Sequence, residues 1–129
     1  YNFKIYYEDT DSGGVVYYAN YLKFIERART EMINYLGFTL TTLLKKYDRL
    51  FLVKKIECDY IESCKLEDRL NVQSRVLLLK NASFELEQNI LKQNNFIFRS
   101  KILMVCVNSQ GAPSKIPNEL HSLMKNKDG

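Results

Sequence analysis

The residues best suited to chemistry in this 129-residue chain lie in one stretch, Tyr7 to Tyr21, which reads YEDTDSGGVVYYANY. It brings together two carboxylates, Asp9 and Asp11, the hydroxyl of Ser12, and the adjacent glycines Gly13 and Gly14. A carboxylate in such a place can act as nucleophile or general base. Set just before a helix, it would stand near unpaired N–H groups and the positive end of the helix dipole, which stabilise a developing oxyanion. The paired glycines let the backbone fold a ligand against the helix start. The same residue types also make an ordinary pre-helix turn, because Asp and Ser bond their own backbone.

Other chemistries fit this stretch less well. Asp9, Asp11 and Gly14 match positions one, three and six of a calcium loop, but position five is Gly13 and position twelve is Asn20, where a bidentate Glu is needed. No Gly-Lys-Ser/Thr follows the glycines, which excludes a phosphate-binding P-loop. Ser12 as nucleophile would need a base, and the one histidine, His121, is remote in sequence. Tyr17, Tyr18 and Tyr21 have no interleaved arginines, so they read as core or pocket lining rather than a platform for bases.

Several elements must position this stretch. Phe3 to Tyr7 reads as a short strand. From Asn20 to Leu36 the period is helical, with Leu22, Ile25, Ala28, Met32 and Leu36 on one stripe, and Gly37 is placed to cap the end. A shorter helix covers Leu40 to Lys46. After Asp48 the period becomes two. Leu50 to Ile61 is a strand whose parity slips between Val53 and Ile56, as a β-bulge requires. Asp68 to Leu79 alternates with Leu70, Val72, Val76 and Leu78 on one face. Phe84, Leu86 and Ile90 repeat the pattern, as do Phe96, Phe98, Ile102, Met104 and Cys106. Turn residues at Lys80-Asn81, Asn94-Asn95 and Asn108 to Gly111 leave too little chain for parallel crossovers, so the last four strands are expected to form an antiparallel meander. A terminal helix is expected from Pro117 to Met124. The sum is an α+β domain over residues 1–129, a long helix wrapped by a curled five-stranded sheet.

Composition sets the outer bounds. With 46% hydrophobic and 26% charged residues, five Gly and two Pro, the chain is neither disordered nor collagen-like. The longest apolar run, Ile102 to Val107, is far short of the roughly 18 residues of a membrane span. No charged-then-apolar leader opens the sequence, so no secretory signal is expected. Three cysteines without a CxxC pair suit free thiols in a reducing cytoplasm. Cys58 and Cys64, on one extended stretch, would stand on the order of 20 Å apart. The net charge of +4 is too mild for a nucleic-acid partner and suits a phosphate-bearing small molecule as well.

The block from Tyr7 to Tyr17, with Asn20-Tyr21-Leu22 and Glu26-Arg27-Ala28-Arg29, closely resembles the signature of YbgC-type acyl-CoA thioesterases. These belong to the 4-hydroxybenzoyl-CoA thioesterase branch of the hotdog fold. A weaker resemblance continues through Phe51 to Lys55, Glu67-Asp68 and Val105 to Val107. It implies a single hotdog domain, the fold that the periods give independently.

The resemblance also implies an activity, hydrolysis of a short-chain or aromatic acyl-CoA to free acid and CoA, with no metal and no bound cofactor. Asp11 matches the family's catalytic carboxylate, and the backbone N–H at Tyr18 matches its oxyanion donor. Gly13 and Gly14, with Val16 and Tyr17, match the turn that receives the thioester. Many relatives carry His where this chain has Tyr18, whose phenol, with a pKa near 10, donates hydrogen bonds but is a poor base. The family's sites lie at subunit interfaces, which implies a homodimer or homotetramer. Acyl carrier protein is an alternative carrier, and an acyl-binding module without turnover an alternative function. A hydratase is disfavoured because no His stands near the cluster. Lys54, Lys55, Arg75, Arg99 and Lys101 are candidates for CoA phosphate contacts.

Overall fold

A helix with one apolar stripe and strands with one apolar face can bury both only against each other. A computed structural model, which describes residues 1–128 with side chains through Lys125, has that arrangement. In chain order it contains β1 (Asn2–Lys4), a 3-10 turn (Tyr7–Asp9), α1 (Asn20–Tyr35), α2 (Leu40–Tyr47) and β2 (Leu50–Tyr60). These are followed by β3 (Arg69–Leu79), β4 (Ser83–Lys92), β5 (Asn95–Val107) and α3 (Asn118–Asp128). The five strands form one antiparallel sheet in the order β1-β3-β4-β5-β2.

The sheet departs from the expected meander in one connection. β2 pairs with β5 rather than β3, so residues 61–68 cross to the far side of the sheet before β3 begins. Alternation fixes which face of a strand is covered, not which strand lies beside it. β1 also stops at Lys4 rather than Tyr7, because Tyr6 and Asp9 exchange hydrogen bonds and bend the chain into the 3-10 turn.

Helix α1 buries Tyr21, Phe24, Ile25, Ala28 and Ile33 against the sheet, each large side chain worth about 1.5–3 kcal/mol. The buried stripe is turned from the expected one: Leu22 is exposed, while the rings of Tyr21 and Phe24 take the space beside Phe98 and Phe3. Gly37, at φ +98°, ends the helix. Its N–H donates to the Asn34 carbonyl at 2.9 Å, and the Phe38 N–H donates to that of Ile33 at 3.3 Å. Thr39 then caps α2 by accepting the Thr42 N–H at 3.0 Å.

Three bulges curl the sheet around the helix. The slip in β2 falls between Val53 and Lys55, as the sequence predicts. Two others were not read from the sequence, and each reverses an expected face. A slip between Val76 and Leu78 leaves Leu78 47% exposed. Another opposite Ile90 and Leu91 makes Ile97 the extra residue and turns Phe96 outward, where Arg99 lies over its ring at 4.5 Å. Among the described residues no helix is long and apolar enough to cross a membrane.

The end of the crossover is locked by Asp68. Its Oδ2 accepts the Lys65 N–H at 2.9 Å and lies 3.0 Å from the Lys92 ammonium. Burial pushes the Asp68 carboxyl upward, but the Lys65 N–H and Lys92 outweigh it and hold the carboxyl below the usual value. A carboxyl depressed in the folded state contributes stability above its unfolded pKa and loses it as pH falls through the folded one. Asp68→Asn should therefore cost about 1 kcal/mol at pH 7. Denaturant melts should show the gap between parent and variant closing only as pH drops below the ordinary Asp range.

Candidate active site

The loop between β1 and α1 is tied at its base by hydrogen bonds of its own. Asp9 is buried in the 3-10 turn, its Oδ2 accepting the Tyr6 N–H at 3.0 Å. Its carbonyl accepts from Asn20 Nδ2 at 2.9 Å and from the Tyr17 N–H at 3.4 Å. Thr10 and Val16 form a bridge across the loop, and the Asp11 N–H donates to the Val15 carbonyl at 2.9 Å. The start of the loop is thus bound to the first residue of α1.

Asp11 sits beyond that bridge, exposed. Its Oδ1 accepts the N–H groups of Gly13 at 2.8 Å and Val15 at 3.3 Å, while Oδ2 meets no donor among the described residues. One carboxylate oxygen is therefore fixed by the backbone and the other is open. Gly13 is close enough that an added Cβ would lie 3.3 Å from Asp11 Oδ1, and Gly14 has φ +80°, a conformation that a side chain would strain.

The crossover segment walls this corner. Val15 bridges Lys65, and the Val16 N–H donates to the Cys64 carbonyl at 2.9 Å. Among the described residues the N–H groups of Tyr18 and Ala19, at the start of α1, meet no acceptor. An aromatic cluster lies beside them, with ring centroids 4.8 Å apart for Tyr17 and Tyr18, 5.9 Å for Tyr18 and Tyr60, and 5.3 Å for Tyr21 and Tyr60.

Four groups of the corner, Tyr17, Tyr21, Tyr60 and Cys64, are raised above their ordinary values. Burial raises the Cys64 thiol, the Tyr60 phenol and, most strongly, the Tyr21 phenol. The Cys64 thiol donates to the Tyr21 hydroxyl at 3.3 Å, which donates to the Glu62 carbonyl at 3.2 Å. Tyr17 is raised by its hydrogen bond with Tyr18. Neither the Cys64 thiolate nor the phenolate of Tyr17, Tyr21 or Tyr60 is therefore at hand near neutral pH. Among the described residues no group of three His, Cys, Asp or Glu could hold a metal.

The residues singled out by sequence thus fall into one corner, with different parts. Asp11, Gly13, Gly14, Tyr17 and Tyr18 line it, whereas Val16 turns its side chain into the core and contributes backbone. Asp9, equal to Asp11 by residue type, is spent on the turn. His121 lies 3.2 Å from the Lys80 carbonyl, past the far end of β3, a strand about 35 Å long whose near end abuts this loop. Ser12 and His121 do not meet. Most of the basic residues named for phosphate contact are engaged elsewhere: Lys55 with Glu57 at 3.1 Å, Arg75 with Glu87 at 3.3 Å, and Arg99 on Phe96. Asn20, Tyr60 and Cys64 are not among the residues the sequence singles out for the site; Tyr60 comes from the end of β2 and Cys64 from the crossover, for whose path the sequence carries no signal.

Comparison with known proteins bears on the family and the fold. The model of the thioesterase-like superfamily matches residues 6–123. An acyl-CoA thioesterase YbgC of Haemophilus influenzae is 40% identical over 118 residues, 91% of this chain and 87% of that protein. A probable thioesterase from Bartonella henselae superposes with a TM-score of 0.87 at 31% identity, covering 91% of this chain and 97% of the other. The BH1999 gentisyl-coenzyme A thioesterase superposes with a TM-score of 0.87 at 27% identity, covering 98% and 99%. Sequence signature, curled sheet and matched relatives coincide, and the chain belongs to the YbgC-type family of hotdog-fold thioesterases.

Proposed function

We propose that this chain hydrolyses acyl-CoA thioesters to a free carboxylic acid and CoA. The observation that carries the reading is the free Oδ2 of Asp11, held in a loop tied to a helix start with unpaired N–H groups. Oδ2 either attacks the thioester carbonyl or takes a proton from the attacking water. The Tyr18 N–H receives the oxyanion, a contact worth roughly 3 kcal/mol where such donors have been removed. Gly13 and Gly14 keep the approach to Asp11 clear, while Tyr17 and Tyr18 form its aromatic side. That side suits a short-chain or aromatic acyl group, in keeping with the aromatic substrate in the name of the gentisyl-coenzyme A relative. Three free thiols suit a cytoplasmic setting.

The reading includes a homodimer or a homotetramer. β2 is an edge strand eleven residues long, with Leu52, Val53, Ile56 and Tyr60 exposed along it. Such an edge is a template for pairing with another chain.

Asn keeps the Oδ1 acceptor that binds Gly13 and Val15 but removes the carboxylate. Asp11→Asn should therefore retain its melting temperature and lose about 100-fold or more in kcat. Thiol release from short-chain, long-chain and aromatic acyl-CoAs is the assay, and full activity in the variant would remove Asp11 from the mechanism. Gly13→Ala should lower kcat with less effect on stability, since the new methyl displaces the carboxylate by a few tenths of an ångström. Light scattering should give the mass of two or four chains; a monomer at micromolar concentration would reject the assembly.

A further inference from the structure

We infer that Gln88 is a positioning residue for the hydrolysis: it fixes the direction of the α1 axis, and with it where the Tyr18 and Ala19 N–H groups point. The inference rests on the acyl-CoA hydrolase reading and deepens it by naming what aims the oxyanion donor from outside the active-site corner.

One polar row crosses the apolar face of the sheet that α1 covers. Val76, Leu86 and Ile102 are cross-strand partners on β3, β4 and β5, as are Val72, Ile90 and Phe98, and all six are buried. Between these two rows, in the same register, lie Ser74, Gln88 and Ser100. Gln88 is wholly buried. A side-chain amide in such a place costs the fold unless both of its ends are paired, whereas an apolar side chain of the same size carries no such condition. The flanking serines meet part of the need: Nε2 donates to Ser74 Oγ at 2.9 Å, and the Ser100 hydroxyl donates to the Gln88 carbonyl. Both ends of the amide then reach the helix. Nε2 also donates to the Ile25 carbonyl at 3.0 Å, and Oε1 accepts from Arg29 Nη1 at 3.4 Å. A carbonyl inside a helix already accepts the N–H four residues on, so the bond to Ile25 adds nothing to helix formation. It adds a fixed point.

The start of α1 is held separately. Asn20 Nδ2 donates to the Asp9 carbonyl at 2.9 Å, and the Tyr21 hydroxyl donates to the Glu62 carbonyl at 3.2 Å. A rod held at one end still tilts about that point, and apolar contact resists the tilt without direction. Ile25 stands about 7.5 Å past Asn20 along the axis, and Arg29 about 13.5 Å. A second tie at that distance fixes the axis. The first N–H groups of a helix point along it, so a tilt of about 20° moves an oxygen about 3 Å ahead of them by about 1 Å, a misplacement that costs up to about 100-fold in rate. Asp11 is anchored by other means, its Oδ1 on Gly13 and Val15 and its loop on the crossover through Lys65 and Cys64. A tilt therefore changes the geometry between donor and carboxylate instead of carrying both along.

The test is Gln88→Met, which keeps the length of the side chain and leaves half-buried Ser74 and Arg29 free to turn to water. On the best substrate among short-chain, long-chain and aromatic acyl-CoAs, kcat should fall roughly tenfold, part of the loss seen when an oxyanion donor is removed, with KM within twofold of the parent. The melting temperature should stay within a few degrees, because both the amide and its burial cost go together. The pH dependence of kcat should keep its midpoint while its plateau drops, since the Asp11 cradle is untouched. Parent-like kcat in Gln88→Met overturns the inference, and so does a fall in kcat that comes with a moved midpoint. Should that variant not fold, Ser74→Ala, which loosens the amide, should show the same split at roughly threefold, and unchanged kcat there overturns it too. If the parent hydrolyses no acyl-CoA, the hydrolase reading fails, and amide NMR decides the positioning alone. The Tyr18 and Ala19 resonances should move in the variant while those of Gly13 and Val15 stay; unmoved Tyr18 and Ala19 resonances reject it.

Discussion

A buried glutamine fastens the long helix to the middle of the sheet. Gln88, on β4, is fully buried; its Nε2 donates to the Ile25 carbonyl at 3.0 Å and to Ser74 Oγ at 2.9 Å, and its Oε1 accepts from Arg29 at 3.4 Å. Its own carbonyl accepts the Ser100 hydroxyl at 2.5 Å. Apolar contact alone leaves a helix free to slide or roll by small amounts on a sheet, because it has no direction. A buried amide does have direction, and leaving it unpaired costs about 1–3 kcal/mol. The position of the α1 N-terminus, and with it the unpaired N–H groups of Tyr18 and Ala19, follows from that fastening.

The loop before the helix shows how burial separates two residues of one type. Asp9 and Asp11 stand two positions apart, yet Asp9 spends its carboxylate on the Tyr6 N–H and its carbonyl on Asn20, while Asp11 keeps an oxygen open. The first ties the loop down and the second leaves one carboxylate oxygen open to a ligand. Neither arrangement works alone: an open carboxylate on an untethered loop would lose its alignment with the helix, and alignment is a large part of what an active site supplies.

The sequence carried the elements and brought the candidate site residues into one segment, but not all of their neighbours. The β2 bulge was legible because hydrophobic parity changes within the strand, around Lys54. The bulges that expose Leu78 and Phe96 were hidden because the neighbouring positions are apolar too, so a slip leaves no break in the pattern. The helical period puts Leu22 on the buried stripe and leaves Tyr21 as either core or pocket lining, since a hydrophobic scale ranks Leu above Tyr. The structure places the larger ring inside because its hydroxyl finds Glu62 and Cys64. The β2–β5 pairing was not legible at all, and with it went the contribution of the crossover to the site.

The strand order has a consequence for how the protein is made. Helix α1 precedes β3, β4 and β5, the strands that supply the surface it rests on, and β1 finds its partner only when residues 69–71 exist. The last strand pairs with both β4 and β2, so the sheet closes only after residue 107. During synthesis the aromatic face of α1 must wait in solvent for tens of residues, and closure depends on contacts distant in sequence, which form slowly. A nascent chain of this design is most exposed to misassociation in the interval between the helices and the final hairpin.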